Sequence, residues 1–404
     1  MIDLHPYDVR AGRPRPAPPV SASRDTVLAE LTSEVFASLP RSDQRRKGIQ
    51  YLNGLLSIRG RKSIRNIANL LGDDVSEQNL HHFICDSTWD WMPIRRALAE
   101  AVETALPTRA WVVAPMTIPK AGRNSVGVER HYSPALGQTL NAQRAIGVWA
   151  ASESASVPVN WRLQLSSSWL RDAPRRSQAA IPEGASAEGL AECAVEAARQ
   201  TAAGWGLRAR PTVLDLGEAP EPLLELTAAG HLPLLVRVGP DTPLVATDLA
   251  PAGREQTTLT AHRIMGLART LRRPVPGAPP TPGAGEDTPL AAHVRVALPR
   301  LPGQGKHPAP RPLVLLGMGT YGAPWPGELW LSNLTALPLE HLTRLRQLTH
   351  RVGEDCAGVA ERVGIRDFTG RSFQGWHRHV TLASVAHAVA VLDGRTRQLP
   401  RAAG

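Results

Sequence analysis

The sequence predicts an α/β protein in which an all-helical N-terminal domain precedes a mixed sheet flanked by helices. Two observations lead there. Between about residues 25 and 106 apolar positions recur at helical spacing and prolines are few. From Trp111 to Val238 short apolar runs alternate with helical ones in the order three strands, helix, strand, helix, strand. A chain of 404 residues can bury a large core and suggests two or three domains.

Residues 1–24 carry Pro14, Pro16, Pro18 and Pro19 among small and polar residues and read as a disordered arm. In the helical domain, residues 25–106, Ile64, Ile67, Leu70 and Leu71 share a stripe, with Ser63 as N-cap and Gly72 as C-cap. Ser76 caps a second helix over Glu77–Ile84, giving a helix-turn-helix shape that an ordinary pair of packed helices would share. Strands are expected at Ala110–Ala114, Ala145–Ala151 and Val157–Leu165, and Pro158 points to an edge position in the last. A helix over Ser186–Ala203, a strand Pro211–Asp215, a helix Glu221–Ala229 and a strand Leu232–Val238 follow. Residues 274–288 read as a Pro/Gly-rich insertion. Strands at Leu313–Leu316 and Glu328–Ser332 and helices over about 339–363 and 376–391 complete a core of residues 107–393, leaving 394–404 as a tail.

Lysine and arginine number 46 against 36 acids, a formal charge of +10 that favours a polyanionic partner, most simply DNA. Only four of the 46 are lysine, so the bias of a GC-rich genome would explain the same balance, and both readings stand. Cys85, Cys193 and Cys356 are too few and too scattered for a disulfide framework or a CxxC motif. No apolar run reaches about 18 residues and the N-terminus lacks an apolar leader, so neither a membrane span nor secretion is expected, and a cytoplasmic location is. Phosphate-loop, dinucleotide, zinc-protease and nucleophile-elbow motifs are absent. Trp149, Trp161, Trp330 and Trp376 fall on apolar patterns and read as core. His377 and His379 are two apart on a helix and His81 and His82 are adjacent, so neither pair suits a metal.

Five phrases occur in order along the chain: Gly48-Ile-Gln-Tyr-Leu-Asn-Gly-Leu-Leu56, Arg61-Lys-Ser-Ile-Arg-Asn-Ile-Ala68, Pro119-Lys120 with Ser125-Val-Gly-Val-Glu-Arg-His-Tyr132, Val159-Asn-Trp-Arg-Leu163 and Gly370-Arg-Ser-Phe-Gln-Gly-Trp-His-Arg-His-Val-Thr-Leu382. Together they resemble the DDE-superfamily transposases of bacterial insertion sequences, in the actinobacterial branch that sets a helical domain before a ribonuclease-H-like core. The resemblance implies such a core for residues 107–393 and DNA as partner. It also implies two Mg²⁺ ions held by three carboxylates: an Asp on the first strand, an Asp after the fourth and a Glu on a late helix. Cutting and rejoining a phosphodiester needs such an ion pair, and hard cations need oxygen ligands.

Carried over residue by residue, the family's acids are mostly replaced. The register set by Pro119-Lys120 puts Ala114 at the first Asp, and no acid lies between Ala110 and Gly127. Asp215, in Val-Leu-Asp-Leu-Gly, keeps the second, though a helix cap or turn residue would look the same. Counting back from Gly370-Arg371-Ser372 puts Gly353 at the Glu, and Thr349 and Ala360 at the family's Arg and Lys. Glu354 and Asp355 lie one and two residues on, so about 100° of helix rotation per residue would be needed to present either.

Three readings follow. In the first, a transposase-like protein has lost its metal-binding triad, needs no Mg²⁺, and keeps DNA binding or a recruited regulatory role. Arg45, Arg46, Lys47, Arg59, Arg61, Lys62 and Arg65 would contact DNA, a solvated basic face being the plainer alternative. In the second, the old cleft performs acid–base chemistry on a small-molecule substrate through Asp215 and His350, with Lys120, His131 and Arg371 as further groups. A packing role for His350 competes with that. In the third, the fold serves protein interaction or is a decaying reading frame. A homodimer is compatible with each, and a membrane partner with none.

Overall fold

The computed structural model describes residues 24–72, 75–133, 137–217, 223–224, 226–227, 231–247, 257–275, 289–299 and 311–398. Residues 1–23 of the expected N-terminal arm, nearly all of the Pro/Gly-rich insertion, the end of the tail and most of the Glu221–Ala229 helix lie outside these residues, while Arg24 opens the first helix.

Five helices come first: α1 (Arg24–Val35), α2 (Ser42–Ser57), α3 (Ile64–Leu71), α4 (Glu77–His81) and α5 (Met92–Ala105). The expected caps are in place, since Ser63 Oγ accepts from Asn66 N and Ser76 Oγ from Asn79 N, each at 3.1 Å. The α3 stripe differs from the expected one. Ile67 and Ala68 are buried while Leu70 stays half exposed, because Ala68, one turn after Ile64, lies on the packed face. Two glycines of the Gly48–Leu56 phrase are explained by close approach. A Cβ on Gly54 would lie 2.5 Å from Ile67 Cγ2, and one on Gly48 would lie 2.8 Å from the Phe36 ring.

The chain then forms β1 (Ala110–Pro119), β2 (Glu129–Ser133), β3 (Gln138–Ala151) and β4 (Ser156–Leu163), followed by α6 (Ser167–Arg171), α7 (Ala173–Gln178) and α8 (Leu190–Arg199). After β5 (Thr212–Leu214) and β6 (Leu234–Arg237) come β7 (Pro243–Ala246), β8 (Thr258–Thr260), α9 (Ala261–Leu267), β9 (Arg273–Pro274), β10 (Pro289–Ala297), β11 (Leu313–Thr320) and β12 (Glu328–Ser332). Two long helices, α10 (Leu339–Asp355) and α11 (Phe373–Gln398), end the described chain, α11 running into the stretch read as tail.

The twelve described strands join one mixed sheet in the order β2-β3-β1-β5-β6-β12-β11-β10-β7-β8, with β4 on β3 and β9 on β10. Among the described pairs only β1–β5 and β5–β6 are parallel. Strands β4, β3, β1, β5 and β6 with their helices form the ribonuclease-H-like core. Between β6 and α10 the chain makes an antiparallel extension that returns to the core by pairing β12 with β6. Pro158 sits on edge strand β4 beside a register shift, where its missing N–H costs nothing. The central strands β5 and β6 are short continuous apolar runs, as a sheet covered on both faces requires.

Helix α11 ties the two ends of the chain together. It packs on α1, α2, α5 and β4, and one apolar cluster runs from Val27 on α1 to Val391 on α11 through β1 and β3 to β6. Three histidines on α11 are buried with it: His377, His379 and His387. His379 Nε2 donates to the Gly364 carbonyl at 2.9 Å, which leaves Nδ1 to accept from Tyr51 Oη at 2.8 Å. His387 Nε2 likewise donates to the Ser156 carbonyl at 2.8 Å. Burial holds His379 and His387 down to about 4, and burial together with the Arg95 charge holds His377 well below the usual imidazole value. These rings fold neutral. As pH falls below about 6.5 the unfolded chain takes up protons that the folded chain refuses, at His379 and His387 until near pH 4. Stability is therefore expected to drop by up to about 1.4 kcal/mol per pH unit for each ring across that window. Urea midpoints measured from pH 7 to pH 4 test this, and a His379→Gln variant should flatten the slope.

Candidate functional site

The parallel registers Val113↔Leu214 and Leu214↔Val236 set Val113, Leu214 and Val236 level with one another, where β5 and β6 end while β1 runs on to Pro119. The residues reached next are Ala114, Asp215 and Arg237, side by side at the carboxyl edge of the sheet, where ligands of open α/β folds bind. Helix α10 crosses in front of this edge and brings Thr349 and Gly353 to it. The result is one cleft of about 780 Å³ lined by Ala114, Asp215 and Gly353 together, with Trp149, Trp161, Met116 and Val352 supplying apolar wall. The three positions that the resemblance aligns with the family's acids thus line one cleft.

The cleft carries two carboxylates, and each is paired with an arginine. Arg237 Nη1 lies 3.2 Å from Asp215 Oδ1, and Arg366 Nη1 lies 2.6 Å from Glu361 Oε1. The residues beside Gly353 point elsewhere. Asp355 accepts from Ser156 N at 2.7 Å and Ser156 Oγ at 2.9 Å, while the exposed Glu354 pairs with Arg351. Gly353 itself faces open space, since a Cβ there would meet nothing within 4 Å. Ala360 is buried in the core.

A divalent ion of the kind the family uses needs several oxygen ligands. The cleft offers one at the family positions, Asp215, and that one is bonded to Arg237. Among the described residues no three His, Cys, Asp or Glu side chains converge as a metal would require. The residues do not fit the ion pair.

His350 is not on Asp215. It is exposed, it bonds Arg346 one turn back, and partial burial with the Arg346 charge lowers its pKa. Arg346 in turn holds Glu328 of β12, its Nε 2.8 Å from Oε2, while Trp330 Nε1 donates to the same oxygen at 3.2 Å. Burial alone would raise the Glu328 carboxyl, but these bonds and the charges of Arg346 and Arg237 outweigh it and hold it below the usual range. Asp215 and His350 thus each take an arginine as partner. Lys120 is likewise engaged. Its Nζ donates to the Phe368 carbonyl at 2.6 Å, and burial, then the Arg61 charge, pulls it down to about 8. His131 lies on β2 and Arg371 is exposed before α11, neither of them on the cleft.

The basic residues of the helical region divide sharply. Lys62 is buried, its Nζ bonded to the Ile58 carbonyl and its backbone N–H to Asp367 at 2.7 Å. Lys47 pairs with Asp43 at 3.7 Å and Arg65 with Glu77 at 3.4 Å. Arg45 donates to the Leu39 carbonyl at 2.5 Å. The side chains of Arg46, Arg59 and Arg61 are exposed and have no hydrogen-bond or ion-pair partner among the described residues. Arg59 and Arg61 flank Gly60, whose φ of +80° turns the chain between α2 and α3. The turn between α3 and α4 includes residues 73–74, which lie outside the described ones, and α4 is shorter than expected because it passes into a π-helical turn at His82. No helix among the described residues is long and apolar enough to cross a membrane.

Sequence reasoning missed Arg237, Glu361 and Arg366. Arg237 leaves a signal, being the one charge that ends the apolar run Leu234-Leu-Val, next to Asp215 once β5 and β6 are paired in parallel. No curated protein matches the chain. A family model, that of the DDE superfamily endonucleases, matches residues 34–282, which include α2 to α5, β1 to β8, Ala114, Asp215 and Arg237. This match over more than half of the chain, with a mixed sheet consistent with a ribonuclease-H-like core, shows that the chain belongs to the DDE superfamily endonuclease family.

Proposed function

We propose that this protein is a transposase-like DNA-binding protein that does not cut DNA. One observation carries the reading: Ala114, Asp215 and Gly353 line one cleft, and the sole acid of the three is already bonded to an arginine. Without oxygen ligands from the first strand and the late helix, neither the attacking nor the leaving oxygen of a phosphodiester would have a metal to stabilise it. DNA affinity would rest on phosphate contacts from the exposed cations of α2 and the α2–α3 turn, in keeping with the net positive charge. The test is a nicking assay on supercoiled DNA with Mg²⁺ or Mn²⁺, alongside a binding assay on duplex DNA. Salt-sensitive binding without nicking is expected. Metal-dependent nicking that disappears in an Asp215→Ala variant would overturn the reading.

A further inference from the structure

We propose that Arg237 is the resident cation at Asp215: its guanidinium neutralises this carboxylate where a divalent ion would otherwise sit, and so keeps that end of the cleft closed to metal. The inference rests on reading the cleft as a metal site stripped of acids, and it adds what took over the charge.

Asp215 is the first residue past β5 and Arg237 the last of β6, so the parallel pairing of these strands sets the two side by side. A single carboxylate oxygen, Asp215 Oδ1, takes Arg237 Nη1 at 3.2 Å and the backbone N–H of Gly217 at 3.3 Å. The pair is partly shielded, with 35% of the Arg237 side chain and 25% of the Asp215 side chain exposed. A carboxylate partly withdrawn from water is favoured by an opposite charge at this distance. In the family two metal ions and two more acids share that balance. Here one guanidinium balances one carboxylate, leaving no surplus negative charge to attract an ion.

The surroundings hold Arg237 to this task. Its other acidic neighbour, Glu328 on β12, is engaged by Arg346 at 2.8 Å. Charges therefore alternate from Asp215 through Arg237 and Glu328 to Arg346, across β5, β6, β12 and α10. Lack of room does not keep a metal away, since the space in front of Gly353 is open. What remains to exclude a divalent ion is the scarcity of ligands and the positive charge beside Asp215.

These two causes can be separated with the full chain. Ala114→Asp restores one acid beside Asp215, and Arg237→Gln removes the cation. Mn²⁺ binding is read by the loss of the free-ion electron paramagnetic resonance signal and by the shift of Tm on adding Mn²⁺. The wild type is expected to bind no Mn²⁺ saturably. Ala114→Asp/Arg237→Gln should bind it, at least roughly tenfold more tightly than Ala114→Asp alone, as expected for removing a full positive charge a few ångströms from the ion. Ala114→Asp/Arg237→Lys, which keeps a cation, should fall back to the level of Ala114→Asp. Equal Mn²⁺ affinity with and without Arg237, or no binding by the folded Ala114→Asp/Arg237→Gln variant, would overturn the proposal. Should that variant fail to fold, Arg237→Gln alone decides. It should lower Tm, and Asp215→Asn/Arg237→Gln should recover most of the loss, whereas no recovery refutes the pairing role. Metal-dependent nicking by the wild type would instead sink the functional reading, so the two failures are distinguishable.

Discussion

An Arg95→Ala variant is expected to lose about 3 to 5 kcal/mol of stability, from buried acceptors left unpaired at about 1 to 3 kcal/mol each together with the cavity left by the side chain. Arg95 lies on α5 and is 1% exposed. Its guanidinium is held by neutral acceptors: Nε donates to Thr381 Oγ1 at 2.7 Å, Nη1 to Asn160 Oδ1 at 3.2 Å and the Trp161 carbonyl at 2.7 Å. Nη2 donates to the His377 carbonyl at 3.2 Å and reaches His377 Nδ1 at 3.1 Å. Truncation would strand these acceptors in a dry interior and open a cavity between α5, β4 and α11. Arg95→Lys keeps the charge but not the planar fork, so it should recover less than half of the loss. Denaturant midpoints measure both. A loss below about 1 kcal/mol would show that the network is not what holds α5 to the sheet.

The same network bears on how the helical region behaves. Because α1 to α5 share one apolar cluster with β1, β3 to β6 and α11, the helical region should melt together with this part of the sheet, which Arg95→Ala is placed to split.

The architecture is legible in the sequence where local pattern and burial agree. β5 and β6 are continuous apolar runs bounded by turn residues, and they fall within a residue or two of the expected strands. Ser63 and Ser76 declare their helices because an N-cap needs only its own side chain. β2 and β7 to β10 are not legible. Glu129–Ser133 is polar throughout and is a strand only because β3 pairs with it, and β7 and β8 are too short to show a period. β10 did leave a trace in the alternation of Ala292, Val294 and Val296, hidden beside the Pro/Gly-rich stretch.

The cleft is half legible for a similar reason. The resemblance carried by the phrases around Pro119-Lys120 and Gly370-Arg371-Ser372 singles out Ala114 and Gly353, and both line the cleft with Asp215. The partners of Asp215 are not contained in those phrases. Arg237 and His350 are both cationic or titratable groups near it in three dimensions, and the choice falls to the adjacent parallel strand, which sets Arg237 beside Asp215, while His350 turns toward Arg346 on its own helix. Lys62 shows the converse error. It sits in a basic run yet is buried on the Ile58 carbonyl, since Gly364 passes so close that a Cβ there would lie 2.2 Å from Lys62 Cγ.

The surviving basic surface can be tested by charge reversal. An Arg46→Glu/Arg59→Glu/Arg61→Glu variant is expected to bind duplex DNA about 100- to 1,000-fold more weakly at low salt, because each missing arginine forfeits counterion release and each new acid repels a phosphate. The slope of log affinity against log salt should become shallower by about 2 to 3, roughly 0.9 for each phosphate no longer neutralised. All three side chains are exposed and unpaired among the described residues, so the melting temperature should hold while binding falls. Lys62→Gln provides the contrast: stability should suffer through the lost bond to Ile58, and the salt slope should stay within error of the wild type. Fluorescence anisotropy on a duplex of random sequence over a salt series measures both. An unchanged slope in the triple variant would move the DNA contacts off α2 and the α2–α3 turn and onto another face of the protein.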